Sequence, residues 1–430
     1  MTRLVKSIEP LSKVNARIRL PGSKSITHRA LMMAALSEGP WEIANPLRAE
    51  DTLITAGALE SLGAIVDWKE GSVCLRPPDR RWSTPRGPIL LGNSGTSTRL
   101  LLALFSAGVA TFVMDGSPRL RQRPVGPAVE ALRELGAVIS WLGEPGFLPV
   151  EINSRGLGAG EVFVDASKSS QFLSGILIAA PAALGPVRVR WSEPVASRPY
   201  LEMTLGMMKD AGIRFERHGS DTIEIPAPQA YAARNFTVEG DCSTASYFWG
   251  AAALTGGEVF TSPVSCASLQ GDCRFLEVLA QMGCRVVWED DGVRVLGPPR
   301  LSPVTVDMNE MPDMVPTLAV LCAFAEGVSR IENVAHLRIK ESDRLYAVAC
   351  GLRVLGIEAR ELPDGLVIYG GAPAGAPAGP VEAFDDHRIA MAFAVAGLRL
   401  KGVVIDGAES VSKSFPEFWE IFETLGTEGH

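Results

Sequence analysis

At 430 residues the chain is long enough for two or three domains, and with 47% hydrophobic and 21% charged residues it carries ordinary core-forming material. A formal net charge of −8 excludes a general binder of nucleic acid or anionic membrane, which needs a basic surface. Seven cysteines, an odd number with no CxxC pair, read as reduced and buried, not as a disulfide frame or a zinc site.

In chain order, the start MTRLVKSIEPLSKVNARIRL lacks an apolar run and a small-residue cleavage site. The longest uncharged stretches, 100–114 and 172–187, fall short of the ~20 residues that span a bilayer. A soluble, cytoplasmic protein is expected.

One pattern then recurs six times: an amphipathic helix closing in Leu-Gly or a near variant, usually followed by a β-rich run. The copies are ALESLGAIVDW, ALRELGAVISW, LGMMKDAGIRFE, VLAQMGCRVVW, GLRVLGIEAR and IFETLG. Their glycines, 63, 136, 212, 283, 356 and 426, are 73, 76, 71, 73 and 70 residues apart. A glycine there suits a left-handed residue just past the helix end. A second pattern keeps the same period: a polar, small-residue segment leading a helix that is apolar nearly all round and therefore buried. Its copies cover 22–39, 93–108, 167–185, 241–257, 312–327 and 385–402. The chain therefore reads as six α/β units of about 72 residues, best grouped as two domains of three. The Pro/Gly-rich stretches 76–88 and 370–380 fall inside this period and read as loops between strands, not as domain boundaries.

The polar starts of these helices gather the chemistry, because free N–H groups and the helix dipole attract anions there. Lys24, Ser25 and Arg29 open the first apolar helix in outline as a phosphate or carboxylate site, although GxxxxGK[ST] is absent. Asn93-Ser94-Gly95-Thr96-Ser97-Thr98-Arg99 repeats the theme, with Gly95 allowing close approach of a ligand. Arg119 and Arg121 suit a solvated strip. Arg123, just before Pro124, stands 13 residues ahead of its closing glycine; Arg344 and Lys413 stand 12 and 13 ahead of theirs, a shared register that suggests one kind of anion site. Ser169, Ser170 and Gln171 open the third apolar helix, and Ser197 to Tyr200 the next amphipathic one; such groups grip a sugar or phosphate, or simply cap the helix. Asp313, Lys340, Glu341 and the Asp385-Asp386-His387-Arg388 run place acids beside cations, where Glu341 could move protons. The five histidines (28, 218, 336, 387, 430) are scattered, and HExxH, GxGxxG and a GxSxG triad order are missing. Metalloenzyme, dinucleotide oxidoreductase and serine hydrolase are poor readings.

Taken together, LPGSKSITHRAL, GNSGTSTR, RQRPVG, SSQFLSGIL, SRPY, GDCSTASYF, MPDMVPTLA, KESDRL, DDHRIAMAFA and SKSFPEFW resemble, in order and across residues 20–419, the 5-enolpyruvylshikimate-3-phosphate synthase family. The resemblance implies two inside-out α/β domains, each of three βαβαββ repeats, with the active site in the cleft between them. It places one domain at 21–239 and the other at 1–20 plus 240–430. It implies transfer of the carboxyvinyl group of phosphoenolpyruvate to the 5-hydroxyl of shikimate 3-phosphate, with phosphate released, through a tetrahedral intermediate, on the route to chorismate. No cofactor or metal is implied, and a monomer is expected. Carried over by motif, Lys24, Ser25, Arg29, Ser169, Ser170, Gln171, Ser197, Tyr200, Asp313 and Lys340 hold shikimate 3-phosphate. Lys24, Gly95, Arg123, Gln171, Arg344, Arg388 and Lys413 hold phosphoenolpyruvate. Asp313, Glu341 and Lys24 are the proton-transfer candidates. With Gly95 retained, glyphosate is expected to compete with phosphoenolpyruvate. Departures from the family pattern are His336 for a frequent Asn, Arg198 for Lys, and Leu100 for a Pro common in bacterial members. The rival readings are the sister transferase acting on UDP-N-acetylglucosamine, whose mobile-loop Cys is missing from 115–124, and a non-catalytic anion-binding module.

Overall fold

The computed structural model describes residues 3–78, 82–371 and 375–426. The chain divides into two compact units, Met1–Ser23 with Glu239–His430, and Lys24–Val238. Each has its own apolar core.

The sequence period is one βαβαββ repeat. In the second repeat, strand Ile89–Leu90 leads into helix Gly95–Ala107. Strand Val109–Asp115, helix Gly126–Glu134 and the hairpin Val138–Trp141 with Val150–Arg155 follow. The first strand pairs parallel with the second, and the second antiparallel with the last, so the order across the sheet is 1-2-4-3. The third and fifth repeats share this order.

The first and fourth repeats exchange their opening strands. Asn15–Arg19 leads into helix Lys24–Ala35, yet it pairs with Glu258–Ser262, from Asn15 opposite Glu258 to Arg19 opposite Ser262. Arg234–Thr237 leads into helix Cys242–Thr255, yet it pairs with Trp41–Ala44. The two segments that leave their strands this way run side by side: the Ser23 amide donates to Glu239 (2.8 Å) and the Asp241 amide to Pro21 (3.0 Å). The sixth repeat lacks its hairpin, and the N-terminal strand Val5–Ser7 fills that place beside Val404–Asp406.

The apolar helices sit at the centre of each unit. Lys24–Ala35, Gly95–Ala107 and Ser170–Ala179 pack on one another in one; Cys242–Thr255, Val315–Phe324 and His387–Gly397 do so in the other. All residues of Cys242–Thr255 are buried, as a helix without a polar face requires. At Gly175 a Cβ would stand 2.7 Å from the Arg99 carbonyl, so this glycine sets how closely two central helices approach. The amphipathic helices and the sheets lie outside, which is the inside-out α/β class.

Five of the six periodic glycines end their helices in the same way. Gly63, Gly136, Gly212, Gly283 and Gly356 have φ between +79° and +102°. Each donates to the carbonyl three residues back, and the next residue donates five back, as in Gly136 to Arg133 (2.9 Å) and Ala137 to Leu132 (3.0 Å). This pair of hydrogen bonds satisfies two of the last carbonyls and turns the chain into the hairpin. Gly426 instead ends a 3-10 turn, Thr424–Gly426.

The expectation for the cysteines changes. The cysteines are not all reduced: Cys242 and Cys273 form a disulfide, with Cα atoms 5.5 Å apart, because the helix start and the 3-10 turn Gly271–Arg274 pack together. Cys266 is exposed, and Cys74 and Cys350 are half-buried. The Pro/Gly-rich stretches join one repeat's hairpin to the next repeat's first strand; residues 79–81 and 372–374 of them, like His430, lie outside the described residues. Among the described residues no helix is long and apolar enough to cross a membrane.

Candidate active site

In the unit Lys24–Val238, the starts of the three central helices carry the predicted groups. Lys24 is the first residue of its helix, and its Nζ lies 3.4 Å from Asp51 Oδ2. Asp51 belongs to the first turn of helix Glu50–Ser61. Behind this pair runs a buried hydroxyl chain: His28 Nδ1 to Thr55 Oγ1 (2.8 Å), Thr55 to Ser97 Oγ (2.8 Å), and Ser97 to Ser94 Oγ (2.7 Å). It ties the Lys24 helix to the turn before Gly95.

Gly95 opens helix Gly95–Ala107, with Ser94 as cap. A Cβ on it would lie 2.2 Å from Arg123 Nη2, so the guanidinium packs directly on the bare backbone. Arg123 is buried and donates from Nη1 to the Asn93 carbonyl at 3.2 Å. Gln171 is gripped from both sides: its Nε2 donates to Thr96 Oγ1 (2.9 Å) and its Oε1 accepts from Arg99 Nη1 (2.9 Å). Ser169 caps helix Ser170–Ala179.

Arg29 is 1% exposed and fastens three helices. Its guanidinium donates to Thr204 Oγ1 (2.7 Å), the Ser25 carbonyl (3.0 Å), Ser174 Oγ and the Tyr200 carbonyl (both 3.1 Å). Burial pushes it down to about 10, so it stays charged at neutral pH. Ser197, at φ +59°, bends the chain into helix Pro199–Asp210 and sets Tyr200 near Arg29. Arg198, the departure from Lys, turns to Glu193 (2.5 Å) and the Ser220 carbonyl (3.0 Å). Arg121 pairs with Asp115, as a surface strip would.

In the unit that holds 239–430, Arg344 gathers the acids. Its Nε and Nη2 donate to Asp386 (2.8 and 3.2 Å), its Nη1 to Asp313 Oδ1 (2.7 Å), and its Nη2 also to Glu341 Oε2 (2.9 Å). Arg388 Nη2 donates to the other Asp313 oxygen at 2.7 Å. Burial alone would lower the Arg344 guanidinium, but Asp386, Glu341 and Asp313 outweigh it and hold the group firmly protonated. Asp386 also caps helix His387–Gly397 and accepts from Ser342 Oγ at 3.0 Å. The two residues before it, Phe384 and Asp385, take φ +54° and +52°, a strained bend that aims the capping carboxylate at Arg344.

Lys340 is half-buried beside this cluster in sequence, and Lys413 is buried at the end of the 3-10 turn Ala408–Lys413, which packs on helix His387–Gly397. The common register of Arg123, Arg344 and Lys413 therefore does not give a common local structure. Arg123 follows a 3-10 turn, Arg344 is the first residue of an α-helix, and Lys413 ends a 3-10 turn.

His336 is buried with no hydrogen-bond partner at Nε2, and burial, then the Lys340 charge, lower its imidazole to about 3. It is therefore neutral at neutral pH. From the sequence, Asp386, Thr96 and Arg99 stand out only as members of their motifs, and Asp51 does not stand out. Asp386 was findable as an Asp two residues before Arg388 at a helix start; the other three gain meaning only from partners far along the chain. Among the described residues, no three His, Cys, Asp or Glu side chains gather to hold a metal.

In each unit cations stand at or near helix starts, joined in one unit by carboxylates, an arrangement suited to small anions. Residues 8–422 match the family model described as EPSP synthase (3-phosphoshikimate 1-carboxyvinyltransferase). A 3-phosphoshikimate 1-carboxyvinyltransferase of Syntrophobacter fumaroxidans is 61% identical over 98% of this chain and 99% of its own length. That of Methanoculleus marisnigri is 41% identical over 97% and 98%. A solved EPSP synthase of Acinetobacter baumannii superposes with TM-score 0.81 at 32% identity, covering 99% of this chain and 98% of that one.

The chain belongs to the EPSP synthase family, whose enzymes transfer the enolpyruvyl group of phosphoenolpyruvate to shikimate 3-phosphate on the route to chorismate and the aromatic amino acids. The sister reading, with UDP-N-acetylglucosamine as acceptor, is not favoured.

Proposed function

We propose that transfer runs by addition and then elimination, with Asp313, Glu341 and Lys24 as the proton-transfer groups. The observation that carries this is that both acids hydrogen-bond one buried guanidinium, Arg344. Asp313 takes the proton of the acceptor 5-hydroxyl as its oxygen bonds to C2 of phosphoenolpyruvate. The methylene carbon takes a proton from Glu341, giving the tetrahedral intermediate. Glu341, now a carboxylate, removes a methyl proton; the C2–O bond to phosphate breaks and the double bond returns.

Both substrates carry a phosphate and a carboxylate, so binding needs cations to offset their repulsion. Lys24, Ser25, Arg29, Ser169, Ser170, Gln171, Ser197, Tyr200, Asp313 and Lys340 hold shikimate 3-phosphate. Lys24, Gly95, Arg123, Gln171, Arg344, Arg388 and Lys413 hold phosphoenolpyruvate. The grip of Thr96 and Arg99 on Gln171 supports a fixed amide at both ligands. The domains of this reading are 21–239 and 1–20 with 240–430, and the enzyme is a cytoplasmic monomer that needs no cofactor.

Phosphate release in the presence of EDTA tests it, with shikimate 3-phosphate and UDP-N-acetylglucosamine as parallel acceptors. Release is expected only with the former, and with neither acceptor in Glu341→Gln. Full turnover in Glu341→Gln or Asp313→Asn would sink the assignment of that residue.

A further inference from the structure

Asp272 has no part in the roles above, yet it is 3% exposed in the 3-10 turn Gly271–Arg274. Its carboxylate accepts from Ser243 Oγ in the first turn of helix Cys242–Thr255. One turn along, on the same helix face, stands buried Tyr247, on which the charges of Arg388 and Arg344 act. Arg388 donates to Asp313. The helix packs both on the turn that carries Asp272 and on the 3-10 turn Pro312–Met314 that carries Asp313. Among the charges that act on Asp272 are Asp313, Arg388 and Asp241; Asp241 also serves as the helix cap, accepting from the Thr244 amide at 2.7 Å. The neighbours on its own turn face away: Arg274 pairs with exposed Glu310 and Glu277. A buried acid is costly, and this one accepts a hydrogen bond from a hydroxyl and feels the charges of Asp313 and Arg388.

We propose that Asp272 is a positioning residue whose charge acts on Asp313 across Arg388 and sets the strength of Asp313 as the base for the acceptor hydroxyl. This rests on the reading of Asp313 as that base. Asp272 exchanges only its own proton with solvent; the hydroxyl proton goes to Asp313. Burial first, then the charge of Asp313, raise Asp272 to about 7. As pH rises through that value a second negative charge arrives near Asp313 and makes it hold a proton more firmly, hence a stronger base.

Difference infrared spectroscopy of the carboxyl stretch, titrated through pH 5–9, reads this without turnover. A band titrating near pH 7 is expected in the wild type and lost in Asp272→Asn. It should move to lower pH in Asp313→Asn, which removes the repelling charge, and to higher pH in Ser243→Ala, which removes the hydrogen bond to the carboxylate. In turnover, kcat should rise through about pH 7 in the wild type. Asp272→Asn should lose that limb with KM unchanged, and Asp272→Glu should restore it. A band unmoved in Asp313→Asn, or a limb kept in Asp272→Asn while Asp313→Asn is inactive, overturns the role of Asp272 alone. Full turnover in Asp313→Asn overturns the base assignment and this proposal with it.

Discussion

Gly95 and Arg123 are a case in which one missing carbon places a cation. Because a Cβ would fall 2.2 Å from Nη2, Gly95→Ala must displace the guanidinium, the far end of a flexible side chain, and need not disturb the helix. The expected result is an unchanged melting temperature and a KM for phosphoenolpyruvate raised about tenfold, ~1.4 kcal/mol of binding. A KM that stays put would show that Arg123 does not hold that substrate from where it lies. His336 gives a second residue-scale test, on stability. Unfolded, it takes up a proton near pH ~6.5; folded, near 3, through burial and then Lys340. Between those values the unfolded state binds the extra proton, so stability falls as pH drops, by at most ~1.4 kcal/mol per pH unit. His336→Asn removes that slope. Urea titrations at pH 6.5 and 5 should show the wild type losing more stability than the variant, and parallel losses would refute a neutral buried imidazole. At this scale the sequence shows which residues are charged and which begin helices. It does not show that Arg344 meets three carboxylates, because these come from residues 313, 341 and 386.

Among elements, the helix-to-hairpin joint was the most legible part of the fold, and the reason is local. A left-handed residue after a helix is a requirement met within a few positions, so its glycine recurs at the repeat length. Gly136 isolates that requirement: φ is +89° and a Cβ would have nothing within 4 Å. Gly136→Ala therefore adds no clash and charges only the backbone, about 1–2 kcal/mol. Chemical denaturation should show that loss with kcat unaltered; a loss below a few tenths would mean the turn relaxes out of the left-handed region. The buried helices were legible for the same local reason, since a helix without a polar face has to be covered on all sides. The disulfide between Cys242 and Cys273 was not legible, because nothing local says that two residues 31 apart share a contact.

For the whole molecule, periodicity reveals six repeats but not which strand each sheet receives. The strands Asn15–Arg19 and Arg234–Thr237 both precede an apolar helix, and no local pattern says that they trade places. The trade makes the two units unequal as fragments. Lys24–Val238 contains every partner of its three four-stranded sheets. Residues 239–430 alone leave Glu258–Ser262 without Asn15–Arg19, and Val404–Asp406 without Val5–Ser7. Two bare strand edges invite non-native pairing. Expressed alone, 24–238 should therefore unfold in one cooperative calorimetric transition of about 150 kcal/mol, at ~0.7 kcal/mol per residue, while 239–430 should aggregate or melt without a sharp transition. Since the Ser23 amide already bonds to Glu239, a short Gly/Ser linker from residue 23 to 239 should restore both strands and, with them, cooperative melting. If 239–430 melts as sharply without residues 1–23 as with them, the exchanged strands do not hold that unit together.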